Sequence, residues 1–112
     1  MITRASEAKT RSFKGVSFDL LATEERAMVT KMRYAAGNDV PFHQHPHTQA
    51  GYVVSGRYRF RTRGKVDGDF DGQLGPGDSY VIPGGVDHAI TVLTPGEVVD
   101  VFTPPREDYL EY

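Results

Sequence analysis

Polar and apolar residues alternate along most of this chain with a period of two, the repeat of a strand with one face buried. The clearest run is "RYRFRTR" (57–63), with Tyr58, Phe60 and Thr62 on one side and Arg57, Arg59, Arg61 and Arg63 on the other. Similar runs rich in Val, Ile, Tyr and Phe occupy 27–35, 49–55, 78–82, 86–93 and 97–102. Each reads as a strand.

Turn signals separate the runs: Gly37-Asn38-Asp39, Ser55-Gly56, Gly64, Asp67-Gly68-Asp69, Gly75-Pro76-Gly77, Pro83-Gly84-Gly85 and Thr94-Pro95-Gly96. Spaced roughly every ten residues, they predict an antiparallel β-sandwich or barrel. Only "SEAKTR" and "ATEERAM" have a helical composition, and neither carries enough apolar period to be long. The first 25 residues read as strand-forming, with a dimer contact as a further expectation. The fold class is all-β, in one domain over 1–112.

Composition narrows the function. At 112 residues the chain buries about two-thirds of its unfolded surface, enough for a core without staples. The 13 Lys+Arg against 15 Asp+Glu give a net charge of −2, which argues against a nucleic-acid partner. The arginine face of "RYRFRTRGK" therefore reads as the solvated outer face of an edge or dimer strand. Tyr52, Tyr58, Phe60 and Tyr80 read as core or pocket lining. Cysteine is absent, so disulfides, thiolate metal sites and thiol nucleophiles are excluded. No apolar run approaches the ~18 residues of a membrane span, and the N-terminus has no apolar leader segment. The expectation is a cytoplasmic protein that engages no membrane.

Three of the four histidines lie in "HQHPHTQ" (43–49). On a strand, residues two apart point the same way, so His43 and His45 would present two imidazoles to one side. Neutral imidazole is the commonest ligand for first-row transition metals. Pro46 cannot continue a central ladder, so a turn is expected there, with His47 exposed at its tip and Gln49 opening the next strand opposite His45. His88 shares a strand face with Val86, Ile90 and Val92 and supplies a fourth donor. An HxH pair alone is weak evidence for a metal; its setting within two longer spacings strengthens it.

Those spacings resemble the two motifs of the cupins. Gly37-(five)-His43-x-His45-(three)-Gln49-(six)-Gly56 is similar to the first motif (37–56), with glutamine where glutamate is commoner. Gly77-(five)-Pro83-x-Gly85-(two)-His88 is similar to the second (77–92), with Val92 where asparagine is frequent. The resemblance implies a double-stranded β-helix of six or more strands, a jelly-roll-like barrel. It implies one divalent metal (nickel, zinc, manganese, iron or cobalt) on His43, His45, Gln49 and His88, and a homodimer. Gly56, Gly77 and Gly85 read as turn residues with positive φ.

Glutamine changes the charge of such a site. With four neutral ligands the ion keeps about +2, which favours anionic oxygen donors and leaves no ligand carboxylate to act as a base. A separate base is expected in "VVDVFTPPREDY" (98–109), where Val98, Asp100 and Phe102 share one face and Val99 and Val101 the other. A buried carboxyl suits proton transfer. Arg106 would pair with Asp100 or clamp a substrate carboxylate. The plainer reading is a turn cap at Asp100 and a solvated Arg106.

"HPHTQAGYVVSG", "GDSYVIPGGVDHA" and "DVFTPPREDYL" further resemble the small cupins of pectin and alginate breakdown, which convert 4,5-unsaturated monouronates to open-chain keto forms. That resemblance implies a non-redox isomerase- or lyase-like enzyme acting on a small anionic substrate. Asp100 would be its acid/base, Arg106 would hold the carboxylate, and Phe102 and Tyr80 would contact substrate. A metal-dependent cupin dioxygenase and a non-catalytic sugar-binding cupin are the alternatives.

Overall fold

The computed structural model describes residues 1–64 and 68–110. A 3-10 turn (Ala5–Glu7) leads into β1 (Lys9–Phe13), β2 (Val16–Thr23), β3 (Met28–Tyr34), β4 (Asp39–His43) and β5 (Thr48–Val53). Then follow β6 (Arg57–Arg63), β7 (Asp69–Leu74), β8 (Ser79–Ile82), β9 (Asp87–Thr94), β10 (Gly96–Thr103) and one helical turn, α1 (Glu107–Leu110). The strands form a six-stranded sheet in the order β1-β2-β3-β10-β5-β8 and a four-stranded sheet in the order β4-β9-β6-β7. Every pairing is antiparallel. This is the double-sheet, all-β architecture expected from the alternation.

The alternation works as the period-2 rule requires. In β3, Met28, Thr30, Met32 and Tyr34 are buried and the residues between them are not. In β10, Val98, Asp100 and Phe102 point inward. The inner faces meet in one core that includes Phe18, Met28, Val53, Tyr58, Phe60, Ile82 and Phe102. Burying a large apolar side chain as completely as Phe18 or Phe102 contributes roughly 1.5–3 kcal/mol. Gly56, Gly77 and Gly85 take φ of 89°, 91° and 81°, as expected of their turns.

Several expectations are corrected. "SEAKTR" gives only the 3-10 turn before entering β1, and "ATEERAM" is the end of β2 and a turn. The single α-helical turn among the described residues lies instead at Glu107–Leu110. The arginine-bearing β6 is not an edge strand: it sits between β9 and β7, with Arg59 bonded to Asp71 at 2.7 and 2.9 Å. Tyr52 is 53% exposed, because it lies on the outer face of β5. The turn expected at Asp67-Gly68-Asp69, and Lys65 of "RYRFRTRGK", fall partly outside the described residues. Among those described, no helix is long and apolar enough to cross a membrane.

Candidate metal centre

His43 and His88 are brought together by strand pairing. β4 and β9 pair Val40 with Ile90 and then, after a register shift, His43 with His88. Two residues of β4, Pro41 and Phe42, therefore oppose the one residue Ala89 of β9, a bulge that takes in Pro41, which has no N–H to lose. The two imidazole centroids lie 4.2 Å apart. His45 comes from outside any strand: β4 ends at His43, and the turn after it carries His45 inward. That turn is pinned where the Gly85 amide donates to the His45 carbonyl at 2.8 Å. Gln49 is the second residue of β5, in the opposite sheet, and pairs with Ile82 and Phe102, not with His45 as expected. Its side chain nonetheless reaches the same point: Gln49 Oε1 lies 3.0 Å from His45 Nε2.

The hydrogen bonds assign the ring protons. Nδ1 of His43 faces the Pro41 carbonyl at 2.9 Å, Nδ1 of His88 the Val86 carbonyl at 2.9 Å, and Nδ1 of His45 the His47 carbonyl at 3.0 Å. A carbonyl only accepts, so each neutral ring donates from Nδ1 and keeps a lone pair on Nε2. Ligand atoms of the three rings lie within 4.8 Å of one another. Among the described residues, His88 Nε2 is buried with no hydrogen-bond partner, and His45 Nε2 faces the lone pairs of Gln49 Oε1. A cation satisfies all of these acceptors at once, so the donor set fits a divalent metal, which His43, His45 and His88 could hold. Burial pushes His88 down to about 4 and lowers His43 and His45 as well, which keeps the rings in their ligating form.

Asp100 lies behind this group, 1% exposed. Burial pushes its carboxyl up to about 6, against the lowering effect of bonds from Tyr80 and Gln49 and of the Arg106 charge. Because the Gln49 amide donates to Asp100, its oxygen is left facing the imidazoles. Tyr80 Oη donates to Asp100 Oδ1 at 2.5 Å. The two residues flank Gly51 in one cross-strand row, Tyr80↔Gly51↔Asp100. A Cβ on Gly51 would fall 2.1 Å from the Tyr80 ring, so only glycine lets that ring lie across β5 and reach the carboxyl.

A cavity of about 230 Å³ opens onto His43, Gln49, His88, Asp100 and Arg106. Tyr80 and Phe102, expected against substrate, do not line it: Tyr80 stands behind Asp100, and Phe102 packs edge-on to His45 at 5.9 Å. Arg106 lines the cavity but does not pair with Asp100 as one expectation had it. Its Nε and Nη2 donate to the two oxygens of Asp108 at 3.2 and 2.7 Å, and Nη1 donates to Tyr109 Oη at 3.1 Å. Nor is Arg106 a solvated tail residue, being 7% exposed. His47, expected at an exposed tip, is 5% exposed, with Nε2 3.3 Å from the Glu107 carboxylate. Lys14 and Asp108 also line the cavity, and no sequence signal had singled them out. Only the i, i+2 spacing of Arg106 and Asp108 hinted at their pairing.

Comparison with solved structures finds the same fold. An RmlC-like cupin from Shewanella frigidimarina NCIMB 400 is 28% identical, with 96% of this chain and 94% of that one aligned at a TM-score of 0.85. KdgF from Halomonas sp. is 28% identical over 96% of this chain and 98% of its own, at a TM-score of 0.83. Oxalate decarboxylase of Bacillus subtilis, a protein with Mn(II) centres, is 23% identical at a TM-score of 0.81, and the match spans 31% of its length. That likeness shows a shared fold. No curated protein matches the chain. The cupin domain model matches residues 30–102, which hold all four converging donors, and the chain belongs to the cupin family.

Proposed function

We propose that this cupin is a metal-dependent, non-redox enzyme that opens and tautomerises 4,5-unsaturated monouronates, with His43, His45, Gln49 and His88 as metal ligands. One observation carries the reading: the buried Asp100 carboxyl, pushed up to about 6, shares the wall of one cavity with His43 and His88, two of three converging neutral imidazoles. The likeness to KdgF and the resemblance to the cupins of pectin and alginate breakdown support it.

The reaction needs one proton moved and no electrons. The anomeric hydroxyl loses its proton, the ring C–O bond breaks to leave an aldehyde and an enolate, and the enolate becomes a ketone as carbon takes the proton. Asp100, poised near neutrality, accepts the first proton and returns one to carbon. A divalent ion on the four donors supplies Lewis acidity for the developing oxyanion. Arg106 stands at the cavity wall, locked by Asp108 and Tyr109. The direct test combines metal analysis of the purified protein with loss of the ultraviolet absorbance of the conjugated alkene. A metal-loaded protein that leaves an unsaturated uronate unchanged would sink the proposal.

The neutral fourth ligand gives a sharper expectation. Gln49→Glu keeps the metal but weakens binding of an anionic ligand, because the site falls from about +2 to about +1. Unchanged affinity in a titration with a uronate counts against this electrostatic role. The proposal extends to a homodimer. Tyr52 and Val81, 53% and 67% exposed, share the outer face of the six-stranded sheet and offer it apolar surface. Light scattering at twice the 12.4 kDa chain mass is expected, and a monomer rules the dimer out.

A further inference from the structure

The cavity needs a cation that is free to meet a substrate carboxylate, and Arg106 is largely committed. The side-on edge of its guanidinium, the geometry suited to bidentate recognition, is filled by Asp108, which also cancels its charge. A second cation stands at the mouth. Lys14 occupies the tip of the β1–β2 hairpin, where Phe13 pairs with Val16 and the two-residue loop Lys14-Gly15 takes φ of 51° and 82°. Positive φ at both positions is the type I′ signature, a turn that gives the tip one conformation. The tip is also tied to the neighbouring loop, where Asn38 Nδ2 donates to the Gly15 carbonyl at 3.4 Å.

Lys14 lines the same cavity as His43, His88 and Asp100. Its Nζ lies 5.4 Å from the centroid of the Phe13 ring, and Arg106 Cζ lies 5.6 Å from that same centroid. Two cationic groups thus gather on one aromatic ring at the edge of the site. No carboxylate pairs with Lys14 among the described residues, whereas Lys31, Arg33, Arg59 and Arg106 each have one. An ammonium placed in this way, exposed and without a counter-ion, suits an anion arriving from solvent.

We propose that Lys14 is a specificity-determining residue, the rim cation that selects the ionised carboxylate of an acidic sugar over a neutral one. The proposal rests on the uronate reading and deepens it: the substrate is bound with its carboxylate at the hairpin tip and its reacting end toward Asp100. The N-terminal hairpin, outside both histidine motifs, becomes part of the site.

The test uses the nickel-loaded protein at low ionic strength, titrated with D-galacturonate and with its uncharged methyl ester. The wild-type protein is expected to prefer the acid. Lys14→Met lowers acid affinity by about 5-fold, the upper range for an exposed ion pair, and leaves ester affinity and metal content unchanged. Lys14→Arg restores the preference. With an unsaturated uronate as substrate, Lys14→Met raises KM by a similar factor and spares kcat. If wild type prefers the acid and Lys14→Met keeps that preference, Lys14 is not the anchor, although the uronate reading stands. If wild type binds acid and ester alike, the carboxylate-recognition reading falls, and the Lys14 assignment falls with it.

Discussion

Asp100→Asn is expected to lower turnover of an unsaturated monouronate by about 10²- to 10⁴-fold, the usual worth of a positioned acid or base. The substitution removes the proton acceptor and keeps the shape. An asparagine oxygen still accepts from Tyr80 Oη, which lies 2.5 Å from Asp100 Oδ1, and the side chain still fills a site that is 1% exposed. Metal content is measured alongside, and wild-type loading with lost turnover separates loss of the base from loss of the site. The more drastic Asp100→Ala is also expected to abolish turnover. Full turnover by the asparagine variant rules out Asp100 as the proton carrier.

His88→Ala is expected to weaken metal binding by more than ~100-fold, since changes outside the ligand set already cost 10- to 100-fold. In wild type, metal at about 1,000 times Kd stabilises the fold by about 4 kcal/mol, and that increment disappears in the variant. Without metal the change is smaller, because the alanine also removes a buried Nε2 that has no partner. A metal-dependent rise in Tm that survives in His88→Ala counts against this ligand assignment.

Acid separates two opposing groups in the metal-free protein. His88, at about 4 in the fold against 6.5 for a free imidazole, stays unprotonated where the unfolded chain takes up protons. Its contribution is present above pH 6.5 and is lost as pH falls toward 4, on the order of 3 kcal/mol. Asp100, at about 6 against 3.8, holds a proton that the unfolded chain releases. Its contribution is full below pH 3.8 and is lost as pH rises through 6, again on the order of 3 kcal/mol. Between pH 4 and 6 the two nearly cancel in wild type. In His88→Ala the Asp100 contribution is left unopposed, so denaturant midpoints of the variant rise relative to wild type on acidification. Parallel pH profiles contradict the assignment.

Much of this site was legible because strand parity is local. Val98, Asp100 and Phe102 share the inner face of β10, and His88 shares one with Ile90 and Val92, as simple counting requires. The spacing of His43, His45, Gln49 and His88 was enough to nominate four donors. Parity failed where a strand ended. His45 lies two residues past the end of β4, and a turn rather than a pleat aims it. His47, two residues before the inward Gln49, is buried and not at an exposed tip, with its Nε2 3.3 Å from the Glu107 carboxylate of α1. Nothing in "HPH" shows which of the two rings faces the others.

The sequence by itself determined the periodicity of the strands, the turns between them, the absence of thiol chemistry and the kinds of atom available to a metal. Each depends on residues within a few positions of one another. Tertiary structure alone decided that Gln49 meets the imidazoles from the opposite sheet, that Tyr80 reaches Asp100 across Gly51, and that Asp108 occupies Arg106. It also set Lys14 above the cavity. The Arg106–Asp108 pair is local, two positions apart, but Tyr80 and Asp100 are 20 apart and Lys14 shares a cavity with His88, so these placements depend on how two sheets close over a shared core. That closure follows from the summed burial of Phe18, Met28, Phe102 and their neighbours, and no short segment encodes it.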